Sequence, residues 1–116
     1  MKAWKKKEQD LTNWLNELET PWEAVRRSRG LRGEAVEDIE FGPLSVELKT
    51  GKRLTPKYML DWLEQAATNC EGRIPVVVAH SDRMRKGDQI VMMTYKDFVR
   101  LLELLGREVK DASDVQ

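Results

Sequence analysis

The stretch Ile74–Ser81, IPVVVAHS, constrains the fold more than any other part of the chain. It is almost continuously apolar, yet far too short to cross a membrane. A strand with no polar face has no side to give to water. It must sit inside a sheet and be covered on both faces. The rest of the chain has to supply neighbouring strands and at least two helices to do this.

Those pieces can be read from spacing. In Ala3–Glu19, Trp4, Leu11, Trp14, Leu15 and Leu18 recur at steps of three, four and seven, which predicts an amphipathic helix stopped by Pro21. Trp22–Arg27 reads as a short strand, and Ser28–Glu34, with its glycines and arginines, as a basic loop. Val36–Phe41 alternates, Gly42-Pro43 makes a tight turn, and Leu44–Thr50 alternates again, so the pair reads as a hairpin. Gly51–Lys57 is a second basic loop. Thr55-Pro56 fits a helix N-cap with proline in the first turn. That helix is expected to run to about Glu71, to bury Met59, Leu60, Leu63, Ala66 and Ala67, and to stop at Gly72. After the central strand come a polar turn at Asp82–Asp88, a strand at Gln89–Thr94 and a helix at Tyr95–Gly106. This last helix carries Phe98, Leu101, Leu102 and Leu105 on its apolar side. The order α-β-β-β-α-β-β-α describes an α+β (α/β) chain with a mixed β-sheet flanked by helices. We expect one domain over residues 1–107 and a polar tail, 108–116, that frays.

Charge narrows the functional classes. The chain has 20 basic and 20 acidic residues and no net charge, so the total says nothing about nucleic acid. The distribution is uneven: Arg26, Arg27, Arg29, Arg32, Lys49, Lys52, Arg53 and Lys57 crowd one region, while the C-terminal end is acidic. One cysteine, Cys70, excludes an internal disulfide and suits a reducing compartment. With no leader-like or membrane-spanning segment to be read, the expected location is the cytoplasm.

Chemistry concentrates on the hairpin. Glu47 and Lys49 are two residues apart on one strand and leave the same face, and a suitable register would bring Asp38 there from the preceding strand. Two converging carboxylates can hold a hard divalent cation. A lysine beside them can orient a water or offset charge developing on a phosphate. The same spacing also fits the solvated face of an ordinary strand.

Asp38-Ile39 followed by Ser45-Val46-Glu47-Leu48-Lys49 resembles the PD-(D/E)XK nuclease signature. GPLSVELK at 42–49, DWLEQA at 61–66 and PVVVAH at 75–80 resemble the phage-encoded Holliday junction resolvases and their archaeal relatives, over roughly residues 3–105. Glu37 stands where the family's proline would precede Asp38, and no extra hydroxyl residue lies in 29–37. The resemblance implies a restriction-endonuclease-like sheet and a Mg²⁺-dependent DNA endonuclease, with Mn²⁺ able to substitute. It implies Asp38, Glu47 and Glu8 as metal ligands, Lys49 as the catalytic lysine, and Gln65 as a group that orients water at the site. Arg27 and Ser28 match a pair leading into a DNA-contacting loop. Together with Arg26, Arg29, Arg32, Lys52 and Arg53 they would hold the phosphate backbone. The partner would be branched DNA, a four-way junction, recognised by shape. Paired nicks would need a homodimer. No organic cofactor and no membrane are expected, and a phage-encoded protein would work in the host cytoplasm. Two other readings remain: a different nuclease of restriction or repair type on the same fold, and a non-catalytic DNA-binding protein. Cleavage of linear duplex would point to the first, and metal-independent binding without cutting to the second.

Overall fold

A computed structural model describes residues 3–27, 38–50, 55–80 and 84–114, the side chains of 3–4 and 112–114 excepted. The elements are α1 (Ala3–Asn16), β1 (Ala24–Arg26), β2 (Ile39–Phe41), β3 (Leu44–Thr50), α2 (Pro56–Asn69), β4 (Ile74–His80), a short 3₁₀ turn (Lys86–Asp88), β5 (Ile90–Met92) and α3 (Tyr95–Asp114). The expected order α-β-β-β-α-β-β-α therefore holds. The strands form one sheet in the order β1-β2-β3-β4-β5. The β1–β2, β2–β3 and β4–β5 pairs are antiparallel, while β3 and β4 are parallel, so the sheet is mixed.

All seven residues of β4 are buried. Val76 and Val78 enter one core with Leu11, Ala24, Ile39, Phe41 and Val46, against which Trp14, Leu15 and Trp22 pack. Val77 and Ala79 enter a second core with Ala66 and Met92, closed by Met59, Trp62 and Leu63. Alternate residues of β4 thus point to opposite helices, α1 on one face and α2 on the other. Met92 and Met93 divide between the same two cores.

Local chemistry sets the ends of these elements. The Thr55 hydroxyl accepts from the Tyr58 amide at 3.4 Å and Pro56 begins α2. Helix α2 ends at Asn69 with Cys70 as its C-cap, and Glu71 (φ 50°) and Gly72 (φ 83°) turn left-handed after it. At the hairpin, Gly42 has φ +56°, and a Cβ there would sit 2.5–2.8 Å from ring atoms of Trp22. Trp22 in turn meets Phe41 edge-on at 5.6 Å, so this indole is core packing. Glycine is required here both by backbone conformation and by the indole above it.

Several expected boundaries shift. Helix α1 ends at Asn16 and not Glu19, because Asn16 turns inward: its amide accepts from Ala24 N at 2.6 Å and donates to Ala24 O at 3.2 Å, tying the helix end to β1. Leu60 and Ala67 lie off the α2 stripe and are exposed. The expected frayed tail at 108–116 is helical as far as Asp114. Gly106 does not end α3, since good helix formers follow it and Glu103–Arg107 and Arg107–Asp111 have i,i+4 spacing. The apolar side of α3 is largely turned to solvent, with Phe98, Leu102 and Leu105 exposed.

Gly42→Ala combines a strained backbone with an indole clash. It should lower the unfolding free energy by about 3 kcal/mol, read from the urea midpoint at unchanged slope.

Candidate metal and phosphate site

The β2–β3 register aligns Ile39 with Val46, Glu40 with Ser45 and Phe41 with Leu44. Continued by one residue, it sets Asp38 across from Glu47, and directly opposed residues of an antiparallel pair share a face. Ile39 and Phe41 point into the α1 core, so Asp38 and Glu47 point to the α2 side. Asp38 immediately precedes β2. Its Oδ2 accepts from the Leu48 amide at 2.7 Å and its carbonyl accepts from the Arg27 amide at 2.9 Å. Both ends of the residue are therefore fixed to neighbouring strands.

Helix α2 crosses back between parallel strands β3 and β4 and so runs opposite to both. Four residues of helix advance about 6 Å and two residues of strand about 6.6 Å. The match builds two rungs. Asn69 Nδ2 donates to Glu47 Oε1 at 3.3 Å, and four residues earlier Gln65 Oε1 accepts from Lys49 Nζ at 2.6 Å. Glu47 and Asn69 are buried, while Gln65 is exposed. One end of the site is dry and the other open.

Glu47 is 3% exposed, which removes the reading of an ordinary solvated strand face. Burial pushes its pKa from 4.5 up to about 7, and the neighbouring Asp38 carboxylate adds to the rise, against the opposing Asn69 hydrogen bond and Lys49 charge. Two carboxylates beside each other, one of them desolvated, are a poor place for two negative charges. They are a good place for a divalent cation, whose oxygen ligands they would supply.

Other expected members are placed elsewhere. Glu8 is buried in the α1 layer, where its Oε1 accepts from Arg26 Nε at 3.0 Å. Arg26 also donates to Gln9 at 2.8 Å. Arg26 follows Ala24 by two and points to the α1 face, so the sheet separates this pair from Asp38 and Glu47. Among the described residues no group of three or more His, Cys, Asp or Glu is arranged to hold a metal. Arg27 bonds Glu40 at 2.9 Å and approaches Glu71 at 3.6 Å, and Arg73 pairs with the same two acids. Both expected DNA-contacting arginines of β1 and its end are thus held in ion pairs. Ser28, Arg29, Arg32, Lys52 and Arg53 lie outside the described residues. His80 is buried against Trp14, with ring centroids 5.3 Å apart.

Asn69 was not anticipated from the sequence. The signal was available: it is a polar residue on the apolar stripe of α2, three residues past Ala66 and four past Gln65. Compared with known proteins, the chain matches no family model, no curated protein and no solved structure.

The folded protein holds the Glu47 proton more tightly than the unfolded chain. This contribution to stability is complete below pH 4.5 and is lost as pH rises through about 7. In chelator, Glu47→Gln should therefore gain on the parent across that window, by up to about 3 kcal/mol. Parallel urea-denaturation profiles from pH 4.5 to 8 would overturn this account.

Proposed function

We propose that this chain is a divalent-cation-dependent DNA endonuclease that resolves four-way junctions by paired phosphodiester hydrolysis. The observation that carries the reading is the placement of Asp38 and buried Glu47 on one face, with Lys49 two residues further towards the open end. The resemblance to PD-(D/E)XK nucleases rests on the same three residues.

Mg²⁺, or Mn²⁺ in its place, would supply Lewis acidity towards a phosphate oxygen and a lowered pKa for water. Asp38 and Glu47 would hold it, and the Asn69 amide would keep Glu47 turned towards it. Lys49 would steady negative charge at the scissile phosphate, with Gln65 fixing the ammonium through the bond it already makes. Glu8 is left out of the minimal site because Arg26 neutralises it across the sheet. Contact with the DNA backbone falls to Arg29, Arg32, Lys52 and Arg53, with Ser28, and not to the ion-paired Arg26 and Arg27. A chain with one such site needs a second copy to nick both opposing strands, which makes the working form a homodimer.

The test is incubation of the protein with a labelled four-way junction and a linear duplex of equal length, with and without Mg²⁺. Symmetric, Mg²⁺-dependent nicks confined to the junction are expected. Asp38→Asn should abolish them, and Lys49→Ala should slow them about a hundredfold or more. Asn69→Ala should reduce cleavage or Mg²⁺ affinity about 10- to 100-fold while junction binding persists. Equal cutting of the duplex would replace junction resolution with a general nuclease. Binding without cutting in both Mg²⁺ and Mn²⁺ would overturn the enzyme.

A further inference from the structure

Helix α3 uses only part of its circumference to hold on to the sheet. Its first turn is capped by Thr94, whose hydroxyl accepts from the Asp97 amide at 3.3 Å and donates to the Asp97 carboxylate at 2.9 Å. Asp97 is buried, and Leu101 and Leu104 are half-buried. The other side carries Tyr95, Phe98, Leu102, Leu105 and Val109, exposed by 81, 44, 50, 42 and 68%. Their steps are three, four, three and four, the two-in-seven recurrence of a helix–helix seam and narrower than the stripe of a helix facing a core. Lys96, Arg100, Glu103, Arg107 and Lys110 occupy the positions turned away from that seam.

We propose that this seam is a docking surface for a second copy of the chain, with the two α3 helices antiparallel about a two-fold axis. Size supports the assignment. The exposed fractions, applied to side chains of about 150–250 Å² each, leave on the order of 600 Å² of seam per copy. That exceeds most patches on a monomer and approaches the roughly 800 Å² per partner of a stable interface. Self-complementarity supports it as well. A two-fold axis placed between Leu102 and Leu105 sets each of these against the other in the second copy. It also sets the large Phe98 against the smaller Val109. Gly106, beside the seam, has open space where a Cβ would be and leaves room for Val99 of the opposing helix. A lipid surface would instead call for basic residues flanking the seam, where Val99, Leu101, Gly106 and Glu108 stand. The proposal rests on α3 and not on the nuclease reading. A dimer that cuts no DNA would overturn that reading alone.

Sedimentation of the full chain at micromolar concentration should give twice the chain mass. Leu102→Lys should raise the dimer dissociation constant about a hundredfold or more with helicity unchanged by circular dichroism. Leu60→Lys, at an exposed leucine of α2 outside the seam, should leave the dimer intact. In a Cys70→Ser background, mild oxidation should link the Phe98→Cys, Val109→Cys double variant into covalent dimers. Within one helix these positions are about 16 Å apart, too far to bridge. Phe98→Cys alone should not link. A monomeric parent, or a Leu102→Lys variant that stays folded and dimeric, would overturn the proposal. Cross-linking by the single variant would overturn the register.

Discussion

Burial of β4 on both faces is the constraint from which the rest of the architecture follows. A strand whose seven residues are all withdrawn from water needs cover on both faces, and here α1 and α2 supply it while α2 also carries the chain over from the parallel neighbour β3. Helix α2 is that crossover. Its direction is fixed by the strands it joins, and its distance from β3 is fixed by the apolar layer of Val77, Ala79 and Ala66. The polar groups at the edge of this layer are then positioned by the same packing that buries the core.

The site places a cost on the fold in one protonation state. Asp38 is anchored by a backbone amide and Glu47 is desolvated, so neither can turn away to relieve repulsion when both are ionised. Burial is the larger influence on Glu47 and the Asp38 charge the smaller. A bound cation would reverse both at once, replacing lost water with ligand bonds and a like charge with a shared opposite one. The Asn69 bond, although long at 3.3 Å, matters because it favours the ionised form in a place where most influences oppose it.

Much of this was legible in the sequence because it depends on short-range periodicity. The apolar run of β4, the Gly42-Pro43 turn, the Thr55-Pro56 helix start and the two-residue spacing of Glu47 and Lys49 are all local patterns. The missed features are long-range. Glu8 and Arg26 lie 18 positions apart and find each other through the docking of α1 on β1, which no local pattern reports. The Arg27–Glu40–Arg73–Glu71 cluster joins three separate parts of the chain. Asn69 is visible locally only as a polar residue on the apolar stripe of α2, and its partner Glu47 lies 22 positions away. The apolar side of α3 is legible as apolar, but periodicity identifies a face without saying what covers it.

The agreement between helix rise and strand rise gives α2 a phase as well as a position. One residue added between Gln65 and Asn69 would rotate everything after it by about 100°. Asn69 would swing off Glu47 while Gln65 stayed on Lys49. Two residues added in the same place would carry it further, to about 200°, and only a full turn of three or four would bring an amide back, by then displaced about 5 Å along the strand. A change of length inside the helix is therefore disfavoured, because the sequence there is kept in step with β3 by geometry and not by contact energy alone.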